Sequence, residues 1–317
     1  MNDICRLLNI RYPIIQGGMG NISNAPLTSA VSEAGGLGTI GVGTMAPDEV
    51  EAIIAETKQR TSRPFAVNIP IQVTPYAEEM VALVEKYHLP VVSLSAGNPA
   101  PFIPRLKERG VKIIVVVASV KQAKKAEAAG ADVLVAEGYE AAGINSNLEL
   151  TTMTLIPQIV QAVRVPVVAA GGIGDGKGLL AALALGAQGV QLGTRLIATQ
   201  EAPFHEAYKQ RIVAADENET VIVGRSVGRV RRIMRTPYAE KLLQYEKEGI
   251  TLEEFNRHTS EDYHRRGALA GDFSEGFVNA GQIAGLIEHI PTVQQLLDDM
   301  MNEAKEQWKK LHDLFGE

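Results

Sequence analysis

Hydrophobic positions in this chain gather into short, nearly unbroken runs rich in Val, Ile and Leu, not into alternating strings. Eight such runs recur at roughly twenty- to thirty-residue spacing, the rhythm of βα units. They occupy residues 13–18, 36–43, 64–71, 91–97, 111–119, 131–138, 165–173 and 189–196. A strand buried on both faces of a parallel sheet needs apolar residues on both sides, so continuous runs predict a parallel sheet. Segments with helical periodicity separate them. Pro47-Asp48-Glu49 opens one with acidic residues in its first turn, 120–129 stops at Gly130, and 179–185 stops at Gly186. Eight strands alternating with helices predict a TIM (β/α)8 barrel over a doubly wound sheet of about six strands.

From about residue 200 this rhythm breaks. The stretch is more polar, rich in Arg, Glu and Tyr, with helix-like patterns at 237–248 and 252–266. The predicted organisation is a barrel over 1–199 and 277–317, with a mostly helical insertion over 200–276 after the eighth strand, placed as a lid or substrate subdomain. Residues 278–289 are expected to supply the eighth barrel helix. A last helix with Val293, Leu296, Leu297, Met300, Met301, Ala304, Trp308 and Leu311 at helical spacing is expected to pack on the barrel.

Composition narrows the chemistry. The 317 residues carry 31 Lys+Arg against 37 Asp+Glu, a net charge of −6, with 45% hydrophobic and 21% charged residues. That balance builds a core and gives no electrostatic case for binding nucleic acid or an anionic membrane. Cys5 is a single cysteine, so neither an internal disulfide nor a Cys/His zinc site is available, and a reducing cytoplasm is the expected compartment. No run approaches the roughly 18–20 apolar residues that span a bilayer.

In a barrel of this kind the active site forms at the carboxyl ends of the strands. The residues closing the runs are rich in Gly: Gln16-Gly17-Gly18-Met19, Gly41 and Gly43, Asn68, Ser95 to Asn98, Glu137-Gly138, Gly171-Gly172-Ile173 and Gly193-Thr194-Arg195. Glycine lets backbone N–H groups approach a flat ring or a phosphate closely. The two late turns, with the Thr194 hydroxyl, supply donors for a phosphate without any Lys, so a phosphorylated cofactor is expected. Asn68 can instead cap a turn before Pro70, and Met19 can be plain packing.

The ordered set IIQGGM, AGGLG, PFAVNI, AEG, LTTMTLIPQI, PVVAAGGIGDG, GVQLGTRL and NAGQIAGL, from about residue 5 to about residue 290, resembles the FMN-dependent family of type II enoyl-acyl-carrier-protein reductase and nitronate monooxygenase. The resemblance implies FMN at the barrel mouth, its phosphate on Gly171, Gly172, Gly193 and Thr194, and its ring beside Gly17, Gly18, Met19 and Asn68. It also implies Glu137 near the ribityl chain, Gly143 at the cofactor, and Gly281 and Gln282 closing over it. One departure stands out. Where the family usually carries Gly-Gly-His, with the His doing acid or base work, this chain has Ile144.

A side chain that cannot move a proton leaves Ser146, Tyr139 or a water held by Asn145 as candidates for the catalytic proton. His205, His258 and His264 belong to the insertion and reach the site only if it folds over the mouth. His88 and His312 read as surface residues, and His289 as the end of the eighth helix. A basic run, Arg225, Arg229, Arg231, Arg232 and Arg235, reads either as a docking site for phosphates or an acidic carrier, with Arg225, Arg229 and Arg232 as contacts, or as a solvated helix face paired with Glu. Enoyl reduction tolerates the missing His better than nitronate oxidation does. The expected activity is therefore FMN-dependent reduction of an enoyl thioester with NADH or NADPH, as in fatty acid biosynthesis. Nitronate monooxygenase is the alternative, and a flavin-binding protein without turnover the third. The expected partners are a small-molecule or acyl-thioester substrate, an acyl carrier protein and a second copy in a homodimer.

Overall fold

All eight apolar runs become strands. In the computed structural model, which describes residues 2–316, the strands in chain order are β1 (Ile14–Gln16), β2 (Gly38–Gly41), β3 (Phe65–Pro70), β4 (Val91–Ser95), β5 (Lys112–Val117), β6 (Val133–Glu137), β7 (Gly143–Ile144), β8 (Val167–Ala170), β9 (Gly189–Leu192), β10 (Thr220–Val223) and β11 (Arg231–Met234). Eight of them pair in parallel in the order β1-β9-β8-β6-β5-β4-β3-β2. A parallel bridge from Ile15 to Leu37 brings β1 back to β2 and closes the ring. The fold is a TIM barrel.

Two apolar layers hold it. Inside the ring, Ile15, Leu37, Ala66, Val91, Ile114, Val133, Val135 and Val168 pack on one another, and the helix Asp3–Leu8 seals the layer with Ile4, Cys5 and Leu8. Outside it, the opposite faces of the strands meet the helices through residues such as Val67, Val92, Ile113, Leu134 and Val190. Both faces are dry, which is why the strands read as unbroken apolar runs. Helix boundaries follow the local signals: Pro47 occupies the first turn of Pro47–Arg60, and Gly130 caps Val120–Ala129 in the left-handed region at φ 105°.

Four differences from the sequence reading matter. The stretch 200–276 contains, besides helices, the antiparallel pair β10 and β11, and β11 also pairs with β7 in the loop after β6. This three-stranded sheet and its helices share a small core of Val221, Val223, Ile233, Tyr238, Leu242, Phe255 and Phe277. The pattern at 252–266 is not one helix but two, Leu252–His258 and Glu261–Ala270, broken at Thr259 and Ser260, where the Thr259 hydroxyl bonds back to the Phe255 carbonyl. Residues 278–289 form only the short 3-10 turn Gln282–Leu286, because the backbone there ties to the barrel loops, Gly281 N to Thr194 Oγ1 and Gln282 N to the Glu140 carbonyl. The eighth barrel helix is instead Val293–Phe315, which packs between Gly176–Ala184 and Ala25–Glu33. Its packed part ends near Ala304, and Trp308 is exposed.

Candidate active site

The carboxyl ends of the strands open into a cavity of about 640 Å³, roofed by β7, β11 and the helix Glu261–Ala270. Its walls combine barrel loops, through Gly17, Met19, Asn68, Glu137, Gly171 and Gly193, with the inserted stretch, through Arg231, Glu261 and His264. Of the residues singled out in the sequence, Gly18, Gly143, Asn145, Ser146, Thr194 and Gly281 also line it. Gly172, Gln282, Tyr139, Arg225, Arg229 and Arg232 do not belong to its lining.

The late barrel loops form a cradle. Gly171 and Gly172 both adopt left-handed backbone, at φ 97° and 72°, which turns the chain sharply after β8. A Cβ on Gly171 would come within 2.9 Å of the Gly138 carbonyl oxygen, so this turn is closed to other residues. Gly193, after β9, differs: a Cβ there would meet nothing within 4 Å and would project into open space. Thr194 is buried and its hydroxyl accepts a hydrogen bond from Gly281 N, pinning the closing segment to the same corner. The Thr152 hydroxyl, donating to the Gly171 carbonyl at 2.9 Å, ties the β8 loop to the following helix of β6. A phosphate fits this corner, with glycine backbone on two sides and room where side chains are missing.

Across the cavity, Asn68 is held within β3 by Ser93 and Ser95, its amide donating to their hydroxyls at 3.0 and 3.2 Å. It is a strand residue with a fixed side chain and does not cap a turn. Glu137 ends β6 on the cavity floor, and burial alone raises its carboxyl from the ordinary 4.5 to about 7. A flat ring beside Gly17, Gly18 and Met19 and a polyol near Glu137 are compatible with these positions.

The proton-donor candidates separate. The Asn145 amide is spent on its own loop, donating to the Ala141 and Gly143 carbonyls. Ser146 lines the cavity while its hydroxyl accepts from Leu148 N. Tyr139 lies behind the wall, its ring 5.0 Å from the Arg232 guanidinium carbon and its hydroxyl receiving from Arg225. Burial, then the contact with Glu149, raises its phenol above the ordinary range, making it a poor acid.

The arginine run also divides. Arg225 pairs with Glu149 at 2.9 Å and Arg235 with Glu240. Arg232 is buried and spent on structure, with Nη2 3.0 Å from the Tyr139 carbonyl and Nη1 3.2 Å from Thr220 Oγ1. Arg229 is exposed. The residue that turns toward the cavity is Arg231, directly opposite Ile144 in the ladder. Near it, His264 is 2% exposed, stacked on Phe277 with centroids 5.2 Å apart, its Nδ1 3.4 Å from Glu261 Oε2 and its Nε2 3.2 Å from Asn279 Nδ2. Burial would raise the Glu261 carboxyl, but the His264 contact and the charges of His264 and Arg231 outweigh it and hold it low. Arg231 stood in the basic run without being among its expected contacts, and Glu261 and Asn279 were not singled out as site residues. Their signals were period-two alternation through 231–232, the i, i+3 spacing of Glu261 and His264, and the place of Asn279 at the head of NAGQIAGL.

Comparison with known proteins places this architecture. The profile of the nitronate monooxygenase family matches residues 2–80 and 71–303. A protein described as a probable nitronate monooxygenase, from Staphylococcus saprophyticus, is 33% identical over 344 aligned residues that cover 95% of this chain and 96% of that one. The Mycobacterium tuberculosis protein named (3aS,4S,5R,7aS)-5-hydroxy-7a-methyl-1-oxo-octahydro-1H-indene-4-carboxyl-CoA dehydrogenase is 31% identical, with 95% of each chain covered. Among solved structures, FabK from Thermotoga maritima matches with a TM-score of 0.94 at 43% identity over 98% of both chains. A nitroalkane oxidase from Streptomyces ansochromogenes matches with 0.86 at 26% identity, over 98% of this chain and 99% of that one. The chain belongs to the nitronate monooxygenase family of oxidoreductases.

Proposed function

We propose that the protein is an FMN-dependent oxidoreductase that uses NADH or NADPH to reduce the carbon-carbon double bond of an enoyl thioester. The end-to-end likeness to FabK carries this reading. A relative whose name specifies a carboxyl-CoA substrate supports a thioester. Gly171, Gly193 and Thr194 would hold the phosphate of FMN, Gly17, Gly18, Met19 and Asn68 its ring, and Glu137 its ribityl hydroxyls, with Gly143 and Gly281 closing the site. Bound there, the flavin supplies a hydride taken from the pyridine nucleotide. The chain's part is to exclude bulk water with its roof, to orient the alkene over the apolar Ile144 surface, and to admit a proton through the polar side of Asn145 and Ser146.

A second reading, oxidation of alkyl nitronates with oxygen, is favoured by the names of several curated relatives. The purified protein decides between them. A yellow flavin spectrum, bleached anaerobically by NADH or NADPH and restored by crotonyl thioester, supports the reductase. Restoration by nitronate and oxygen without reduction by pyridine nucleotide favours the second reading, and bound flavin with no turnover a binding protein.

The same reading takes an acyl carrier protein as carrier of the enoyl substrate, the cytoplasm as compartment and a homodimer as assembly. Among the described residues no helix is long and apolar enough to cross a membrane. Trp308, Leu311 and Phe315 are exposed along one side of the last helix, a surface suited to a second copy, and sedimentation of Trp308→Glu beside the native chain checks it.

A further inference from the structure

We propose that Arg231 binds the substrate's acceptor oxygen and stabilises the negative charge that develops on it, so that this site works by oxyanion stabilisation from the inserted sheet. The inference rests on the reductase reading above and goes beyond it by naming the group that receives the charge.

Arg231 is 9% exposed and lines the cavity. Its guanidinium carbon lies 4.9 Å from the centroid of the Phe277 ring. Among the described residues it has no hydrogen-bond acceptor and no carboxylate within ion-pair distance, while Arg225, Arg232 and Arg235 from the same run all have partners. The Arg231 N–H donors find no acceptor in the protein and open instead onto the cavity, where a ligand can supply one. The nearest carboxylate in the cluster, Glu261, is turned to His264 Nδ1 instead. Close by, Asn279 Oδ1 is likewise buried and unpartnered. The Arg231 guanidinium therefore faces the cavity without a protein acceptor, beside the apolar Ile144.

The charge of the cluster selects the ligand. Glu261 is held ionised in the same wall, so a carboxylate stands near the guanidinium. A phosphate dianion would face that carboxylate, whereas an oxygen that starts neutral and gains one charge would meet a guanidinium free to receive it. An α,β-unsaturated thioester is such a ligand. Bound FMN, reduced by the pyridine nucleotide, would supply the hydride; as it adds, a C–H bond forms at Cβ, the alkene pair moves to join Cα to the carbonyl carbon, and the carbonyl pair moves onto oxygen. The resulting enolate collapses back to the thioester as Cα takes a proton from water. Arg231 holds the oxygen throughout, and planar guanidinium geometry suits it.

The test uses the oxidised holoenzyme with acetoacetyl-CoA, a thioester that ionises to an enolate with its own near-ultraviolet band. Native protein is expected to bind it as the enolate at a pH where the free compound is largely neutral. Arg231→Met is expected to weaken enolate binding about 10- to 100-fold, and Arg231→Lys to recover part of it. Arg231→Met is also expected to melt no lower than the native protein, because it removes an unpaired buried charge. Equal enolate binding by Arg231→Met, or a lowered melting temperature with no recovery in Arg231→Lys, overturns the inference and assigns Arg231 a structural role on Phe277. The reductase reading fails separately: enolate capture that depends on Arg231, with no reduction of crotonyl-CoA by flavin and pyridine nucleotide, leaves the oxyanion site standing without the reductase.

Discussion

Arg231 and Ile144 are Cα partners across the antiparallel ladder of β11 and β7. Directly opposed residues in such a ladder present their side chains on one face, with Cβ atoms about 5 Å apart. A buried cation therefore stands beside the position where the family resemblance leads one to expect an imidazole. Placing that imidazole back, as Ile144→His, puts a titratable ring next to a guanidinium. Position 144 is exposed, so the like charge of Arg231 is what disfavours the imidazolium, and the ring is expected to stay neutral at pH 7 and to leave turnover no faster. The NMR titration of the new imidazole should lie below about 6.5 and move back up in Ile144→His combined with Arg231→Met. An imidazole that titrates above that value beside Arg231, or a gain in turnover at pH 7, contradicts this.

The neighbouring arginines predict opposite outcomes. Arg232 points to the other side of β11 and holds the Tyr139 carbonyl and Thr220 hydroxyl. Arg232→Met strands that carbonyl, and urea unfolding should show a loss of about 1–3 kcal/mol. The same change at Arg231 should not destabilise. Equal losses at both positions would mean that the ladder does not sort the two side chains as described.

Two glycines at the phosphate corner also differ in kind. At Gly193 an added methyl meets nothing within 4 Å and enters the open corner itself. Gly193→Ala should fold with a melting temperature close to native, yet bind FMN about 10-fold or more weakly, the value of a lost hydrogen bond to a charged phosphate. Gly171→Ala meets the Gly138 carbonyl and a left-handed backbone together, so it should lose about 1–2 kcal/mol of stability even without flavin. Fluorescence titration of FMN alongside thermal melts separates the two effects, and unimpaired FMN binding by Gly193→Ala would remove the phosphate from this corner.

The barrel strands were legible because most of their residues are buried on both faces, as in Ile113 to Val115, and few polar residues interrupt their apolar runs. The pair β10 and β11 was not. Its side chains Val221, Val223 and Ile233 share a face with Arg231 and alternate with residues such as Arg232 that turn to the barrel loops, and Arg231 and Arg232 look like a solvated helix face in the sequence. The glycine turns after β8 and β9 were readable one strand end at a time. The Arg231, Glu261, His264 and Asn279 cluster was not, because it assembles from three separated segments. The helix break at Thr259 and Ser260, beyond which His264 is buried, carries no Gly or Pro to mark it in the sequence.

Glu137 gives the pH dependence. In the flavin-free fold its carboxyl is raised by burial from 4.5 to about 7, so the folded protein keeps a proton that the unfolded chain releases. Its contribution to stability is therefore complete below about pH 4.5, is lost progressively as the pH climbs, and stays lost above about pH 7. Glu137→Gln cannot ionise and keeps the neutral form at every pH. The melting temperature of the flavin-free native protein should fall relative to Glu137→Gln between pH 5 and pH 7.5, with the two curves running parallel above about 7.5. Added FMN should shrink that gap, since ribityl hydroxyls donating to the carboxylate favour its ionised form. Parallel melting curves across the whole range without flavin would show that Glu137 titrates in the fold as it does in the open chain, and would take it off the buried floor of the cavity.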